Sequence, residues 1–311
     1  MQDLLKKGIE KVAYLPIFCC ESVKQPFIQL GFEIKYYSMG EDLQQPKSLP
    51  VDLNNKVFLF INYFGFENKC IYSWLQKKKE VQSFFVIEDC VQAAFNSFDH
   101  TLSDYIIYSF RKFTPQPDGA ALIARSSKFN LELDTHYDNE EFLGKQIFGK
   151  VLRASVEDEA LYLNLLKDSE LLLDVPILPS EISDISKLIM NRIDIVEVKR
   201  KRKENWENLF YELDSNDFLK ANIKSLFKCL GNNIVPLGFP IIVDEKKRDE
   251  LLSFLRSRNI YCPVHWRIRS SSIKEDYELS KKIITIPIDQ RLGEAEIKYI
   301  IQTLINFYEV H

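Results

Sequence analysis

Little in the sequence marks the commoner nucleotide, metal or membrane proteins. Ten glycines are spread over 311 residues, and none form GxGxxG at a strand-to-helix turn. A dinucleotide site of the Rossmann type therefore loses its main support. Gly144-Lys-Gln-Ile-Phe-Gly149-Lys150 matches the first seven positions of a Walker A loop, but Val151 stands where the Ser or Thr hydroxyl belongs. Its surroundings read as helix, so these lysines are expected to face water. No run of 18 or more apolar residues exists, and the start MQDLLKKGIE lacks the apolar stretch of a signal peptide. The expectation is a cytosolic chain without membrane insertion. The six cysteines, Cys19, Cys20, Cys70, Cys90, Cys229 and Cys262, show no CxxC spacing and read as reduced core thiols. The four histidines, His100, His136, His265 and His311, share no spacing that would gather them, so no metal site is expected. With 41 Lys and Arg against 45 Asp and Glu, net charge −4, no nucleic-acid-binding surface is implied.

The length excludes a small disulfide scaffold and allows two domains. Short apolar, aromatic and β-branched runs at 12–15, 32–37, 57–62, 83–87, 105–110 and 120–124 each fit a strand. Helical segments alternate with them: 20–31, ending at Gly31, and 67–79, where Ile71, Trp74 and Leu75 share one side. The basic run Lys77 to Lys79 suits the negative end of that helix. VFLFI and SFFVI are almost continuously apolar, as strands covered on both faces must be. This is an α/β pattern with a large, mostly parallel sheet, and sites in such folds gather beyond the strand C-termini. After Arg125 the pattern turns helical, over 140–173 and again over 189–213. Strands near 235–243 and 282–286 and helices near 246–256 and 294–308 close the chain. The expected division is a large α/β domain at 1–190, a connecting helix at 191–213 and a smaller α+β domain at 214–311. The run KRKRK, Lys199 to Lys203, reads as solvated helix surface, with contact to a phosphate or another subunit as the second reading.

Chemistry concentrates in FFVIEDCVQAAF, Phe84 to Phe95, and YIIYSFRKFTPQPDGAALIAR, Tyr105 to Arg125. Asp89 closes an apolar strand, where a buried carboxylate needs a cation or hydrogen-bond donors; a helix-capping acid is the plainer reading. Lys112 follows Ser109 and Phe110 at another strand end, ahead of the rigid turn TPQPDG, and its plainer reading is a solvated loop lysine.

These residues resemble the DegT/DnrJ/EryC1/StrS family of fold-type I aminotransferases, which use pyridoxal 5'-phosphate on nucleotide-linked keto-sugars. The resemblance covers almost the whole chain, and the SFRK arrangement is similar to a shorter-loop subgroup. It implies that Asp89 pairs with the pyridine nitrogen, that Gln92 lies near the ring hydroxyl and that Ser109 touches the cofactor phosphate. Lys112 is implied as the lysine that carries the cofactor as a Schiff base, before the turn Asp118-Gly119. A carboxylate at the ring nitrogen keeps it protonated and able to accept electron density, while one amine serves as nucleophile and as acid-base. Arg111 cannot replace Lys112, because guanidinium stays protonated.

The segment around PIFCC resembles the cofactor-side loop, with Phe18 and Cys20 against the ring, and INYFG resembles the substrate side, with Tyr63 and Phe64 as contacts. Cys262 to Trp266 fall where the small domain approaches the cleft. Trp266 is a substrate-side candidate, and for His265 both a supporting placement and a direct substrate contact are open. The chain departs from the family pattern in three places. MQDLLKKGIE resembles only the end of the helix whose amides hold the cofactor phosphate, so that holding element is expected to be incomplete. Lys112 comes three positions after Ser109, where five is common. Cys20 occupies a position where many relatives have a stacking aromatic.

The resemblance implies transamination from an amino acid, glutamate by family precedent, to a nucleotide-linked keto-sugar for surface glycan or lipopolysaccharide-type synthesis. It also implies a homodimer with shared sites. A sugar dehydratase is the second enzymatic reading, against which Lys112 argues. A degenerate member retained as a structural or binding subunit is the non-enzymatic one.

Overall fold

The computed structural model describes residues 1–125, 129, 139–155, 159–173, 179–268 and 274–310. His136, His311 and positions 156–158 of the expected helical stretch lie outside the described residues.

The first part runs α1 (Gln2–Lys6), β1 (Val12–Pro16), α2 (Glu21–Gln29), β2 (Glu33–Tyr37), β3 (Val57–Ile61), α3 (Lys69–Lys79), β4 (Phe85–Asp89), β5 (Tyr105–Ser109) and β6 (Ala120–Ala124). Six strands make one sheet in the order β2-β1-β3-β4-β5-β6. All neighbours are parallel except β5 and β6, which pair antiparallel. The fold is thus α/β with a large, mixed, mostly parallel sheet. Every residue of β3 is buried, and so are Val86 to Asp89 of β4, as covering both faces requires. The register aligns the ends of the central strands: Ile61 pairs with Asp89, and Asp89 with Ile107. The C-terminal ends of β1, β3, β4 and β5 therefore lie along one edge.

Two helices follow, α4 (Glu140–Ser155) and α5 (Glu159–Leu172), then α6 (Asp184–Met190), α7 (Ile195–Ser215) and α8 (Asp217–Asn222). The helix expected over 189–213 is divided because two caps compete for the segment. The Ser183 hydroxyl accepts from Ser186 N at 3.3 Å and starts α6, and the Asp194 carboxylate accepts from Glu197 N at 3.1 Å and starts α7. The last part comprises β7 (Lys224–Ser225), β8 (Phe239–Ile242), α9 (Glu245–Arg256), α10 (Lys274–Lys282), β9 (Ile283–Ile286) and α11 (Glu294–Val310). Its three strands form an antiparallel sheet ordered β7-β8-β9. The strand expected over 235–243 starts only at Phe239, because Val235 N donates to Asn96 Oδ1 at 2.6 Å and Leu237 N donates to Phe64 O at 2.9 Å. Those backbone groups join the large sheet's edge instead of β9.

One apolar core runs through both sheets. Trp206 of α7 is buried, stacks on Phe210 and meets Phe66 and Phe239. Phe66 and Phe227 stack at 3.8 Å, linking the end of β3 to the second sheet. Three expectations are corrected here. Within the basic run, Arg202 is 3% exposed and faces inward rather than to solvent. Lys150 is half-buried and donates to Pro115 O and Gln116 O, both at 3.0 Å. All six cysteines are free, as thiols, but Cys70 and Cys229 are exposed rather than in the core. No described helix is long and apolar enough to cross a membrane.

Phe58, fully buried on β3, stacks on Tyr37 and touches Trp74, each at 5.0 Å between ring centres. Phe58→Ala should lower unfolding stability by about 3–5 kcal/mol. Denaturant unfolding checks this, and a loss below about 1 kcal/mol would contradict such packing.

Candidate active site at the sheet edge

Consecutive side chains of a strand point to opposite faces, so the end of β4 sends its acids in two directions. Glu88 is 1% exposed and satisfied from all sides. Its oxygens accept from Asn62 Nδ2 at 2.8 Å and Ser103 Oγ at 2.6 Å, take the Cys90 thiol at 3.6 Å, and face His100 Nδ1 at 2.9 Å. The carboxylate raises the His100 pKa, and the far ring nitrogen pairs with the Tyr108 hydroxyl at 3.0 Å. Glu88, Cys90 and His100 thus bring possible metal-ligating atoms within 4.8 Å of one another. Their polar atoms already have protein partners, so the cluster reads as a hydrogen-bonded support behind the sheet edge.

Asp89 is treated differently. It is also buried, yet among the described residues its side chain accepts one hydrogen bond, from Val91 N at 2.9 Å. Burial drives its pKa from 3.8 to about 6, opposed by the Val91 amide and by the positive charge of Lys112. Lys112 lies in a 3-10 turn, Phe110–Lys112, directly beyond β5. Its amine makes no hydrogen bond or ion pair among the described residues. Surrounding protein and the neighbouring Arg111 lower its pKa, while Glu170, Cys20 and Asp89 oppose that shift. The side chain is nonetheless exposed. Both facts hold for a group lining a concavity, where solvent touches the amine while protein on most sides limits its hydration. Arg111 is turned away, held by Glu170 through contacts of 2.6 and 3.0 Å.

The remaining predicted residues are fixed by contacts of their own, and of these Cys20 and His265 interact electrostatically with Lys112. Ser109 ends β5 and is half-buried at the start of the Lys112 turn. Gln92 is 4% exposed, and its Oε1 accepts from Phe64 N at 2.6 Å. A backbone N–H can only donate, so the amide orientation is fixed and Nε2 faces away from Phe64. Phe64 itself is held at φ 55, ψ 16, an uncommon conformation for a bulky residue, by that bond and by Leu237 N on its carbonyl. Gly65 follows at φ +92, where a Cβ would lie 2.6 Å from Val235 O. Tyr63 is fully buried and donates its hydroxyl to Phe18 O at 2.6 Å. Phe18, Tyr63 and Trp266 form an edge-to-face cluster with centres 5.7–6.1 Å apart, and His265 meets Phe64 at 5.4 Å. Tyr63 and Phe64 therefore build the wall with their rings, and the Tyr63 hydroxyl is already engaged. Cys20 is the N-cap of α2, its sulfur accepting from Ser22 Oγ at 3.0 Å.

His265 Nδ1 pairs with the Thr285 hydroxyl at 3.0 Å. Burial, and then the charge on Lys112, depress its pKa from 6.5 to about 4, so the imidazole is neutral at neutral pH. Thr285 had no local signal in the sequence, since it acts from a distant segment.

The architecture is that of the fold-type I transferases that use pyridoxal 5'-phosphate. PseC of Helicobacter pylori, an aminotransferase involved in the biosynthesis of pseudoaminic acid, superposes with a TM-score of 0.67 at 12% identity, covering 97% of this chain and 81% of that one. A DegT DnrJ EryC1 StrS aminotransferase of Brucella abortus gives 0.65 at 15% identity, over 98% and 82%. NtdA of Bacillus subtilis, solved with bound cofactor PMP, gives 0.64 at 12% identity, over 96% and 68%. No family model and no curated protein matches the chain. At such identities the likeness establishes the fold.

Asp89 and His265 make opposite pH predictions. Asp89 has a folded pKa above its ordinary value, so its contribution is full below about pH 4 and lost as pH rises through about 6. His265 has a depressed one, so stability is lost as pH falls from 6.5 to about 4. Each amounts to roughly 3 kcal/mol, and over this shared window they largely cancel. Asp89→Asn should leave only the His265 dependence, so urea unfolding should show its stability rising from pH 4 to 6.5 relative to the parent. Parallel pH profiles for the two proteins would refute the assignment.

Proposed function

We propose that this chain is a pyridoxal 5'-phosphate-dependent aminotransferase that moves an amine from an amino acid, glutamate being favoured, to a nucleotide-linked keto-sugar for surface glycan or lipopolysaccharide-type synthesis. One observation carries the reading: at the C-terminal edge of a parallel sheet, a buried carboxylate with a single hydrogen bond among the described residues and an amine with no hydrogen bond or ion pair among them sense each other's charge. The fold shared with sugar aminotransferases supports it.

The donor set fits the cofactor on chemical grounds. A ring with a basic nitrogen wants a buried acid, and its aldehyde wants an amine free of a tight ion pair; Asp89 and Lys112 supply these. The cofactor, when bound, supplies the carbonyl for imine formation and a ring that stores the electron pair left when a substrate proton departs. Asp89 Oδ holds a proton at the ring nitrogen, a role helped by a surrounding that excludes water. Lys112 Nζ, its neutral form favoured by the lowered pKa, would supply the nucleophile for the aldehyde and the base and acid for the proton of the amine-bearing carbon. Gln92 Nε2, turned from Phe64 by its own carbonyl, would be the donor for the ring hydroxyl, and the Ser109 hydroxyl at the strand end would serve a phosphate oxygen. Cys20 would border the ring from the β1–α2 loop, with the buried Phe18 supporting that loop from behind. Tyr63, Phe64 and Trp266 exclude water on the substrate side, and the neutral His265 can donate or accept there without adding charge. The reading carries with it a cytosolic homodimer with shared sites.

Incubation with pyridoxal 5'-phosphate should give a visible absorption band that borohydride removes, leaving the reduced cofactor on Lys112 in peptide mass spectra. Lys112→Ala should lose the adduct and slow glutamate-dependent amine transfer by about 10²-fold or more. Absence of any Lys112 adduct in the parent protein would sink this reading.

A further inference from the structure

We propose that Arg202 of α7 is a positioning residue for Lys112, holding through Phe113 the peptide that carries the amine and through Leu237 the opposite wall of the cleft. The inference rests on the proposed function only for the role given to Lys112.

Arg202 is a buried guanidinium that forms no salt bridge among the described residues, Asp289 acting on it only through its charge, and its donors fan out to three separate segments. Nε donates to Gln290 Oε1 at 3.0 Å. Nη1 donates to Leu237 O at 2.9 Å and Pro236 O at 3.3 Å. Nη2 reaches Phe113 O at 3.4 Å, and Gln290 Nε2 donates to the same oxygen at 2.9 Å. The carbonyl one residue beyond Lys112 thus receives two donors from two distant elements. The guanidinium also lies over the Phe113 ring, 4.9 Å from its centre, while Phe95 packs on that ring at 5.2 Å. Phe113 is 2% exposed, so it is the peg by which the Lys112 turn is fixed to the body of the protein.

The second arm is as specific. Leu237 accepts from Arg202 with its carbonyl and donates with its N–H to Phe64 O, the residue whose own N–H orients Gln92. One side chain therefore sets the amine's turn and the Gln92 wall against each other. Burying a cation is costly, and here the charge of Asp289 and oriented acceptors on several sides together make it tolerable. A planar fork can serve four acceptors at fixed angles, which the compact ammonium of lysine cannot. A merely packed position would call for an apolar side chain instead.

The test reads Lys112 itself in the full chain without added cofactor. Acetic anhydride labelling across pH 6–11, scored by peptide mass against exposed Lys246, gives the titration midpoint of the Lys112 amine. The charged and titratable groups around it are Arg111 in its own turn, Glu170 of α5, Asp89 of β4, Cys20 of the β1–α2 loop and His265. Releasing the Phe113 peg should let the amine move off the protein that now limits its hydration, so Arg202→Met should raise the midpoint by about half a unit or more, with Arg202→Lys in between. Gln290→Leu removes one donor to Phe113 and should shift it the same way by less; it decides the matter if Arg202→Met does not fold. An unchanged midpoint in the folded variants would overturn the proposal, since a general loss of stability does not retitrate one lysine in the folded state. Cofactor trapping on the parent protein is a separate readout: its failure strikes the aminotransferase reading and leaves the labelling result standing.

Discussion

Strand β3 is apolar throughout and β4 is apolar as far as Ile87, and that constraint organises the rest. Backbone groups in such strands are satisfied only by the ladder, and the side chains only by cover on both faces. Ionisable groups are left to the ends of the strands. Because Ile61, Asp89 and Ile107 lie in register, the strand ends come level, and the turns that follow them, 62–65 and 110–112, face one another across Asp89. The site is thus a by-product of the sheet's alignment before it is a matter of particular residues.

Within that edge, the alternation of side chains separates a satisfied acid from a poised one. Glu88 faces a shell of amide, hydroxyl, thiol and imidazole, whereas Asp89, one residue on, has one backbone amide and a lysine within electrostatic reach. A buried carboxylate so sparsely served holds its proton more firmly than usual. The same burial empties His265 of charge and weakens the proton on Lys112. The three shifts have a common source in low hydration, which favours the uncharged form of the acid, the amine and the imidazole alike.

Much of this was legible from residue types. The six strands of the first sheet fall where short apolar runs predicted them, since buried strands must be apolar and turns need Gly, Pro or polar residues. The Asp89 and Lys112 candidates stood out because acids and amines after apolar runs are unusual. The basic run of α7 misled: helix periodicity places Arg202 among lysines, and only the carbonyls of 113, 236 and 237, brought together by the fold, make an inward guanidinium affordable. Lys150 was misread for the same reason, its acceptors lying in the turn beyond Lys112. The division of the helix near 190 was carried by Ser183 and Asp194, capping residues that apolar periodicity overlooks.

The sequence by itself determined the class of architecture and the chemical types available at the strand ends, because periodicity and residue chemistry are local properties. Only the tertiary structure decided which of those groups are desolvated, which are paired and which face one another. Glu88 and Asp89 are adjacent carboxylates in the chain and differ in every partner they have. That difference is set by which distant atoms the folded backbone delivers, and no local pattern encodes it.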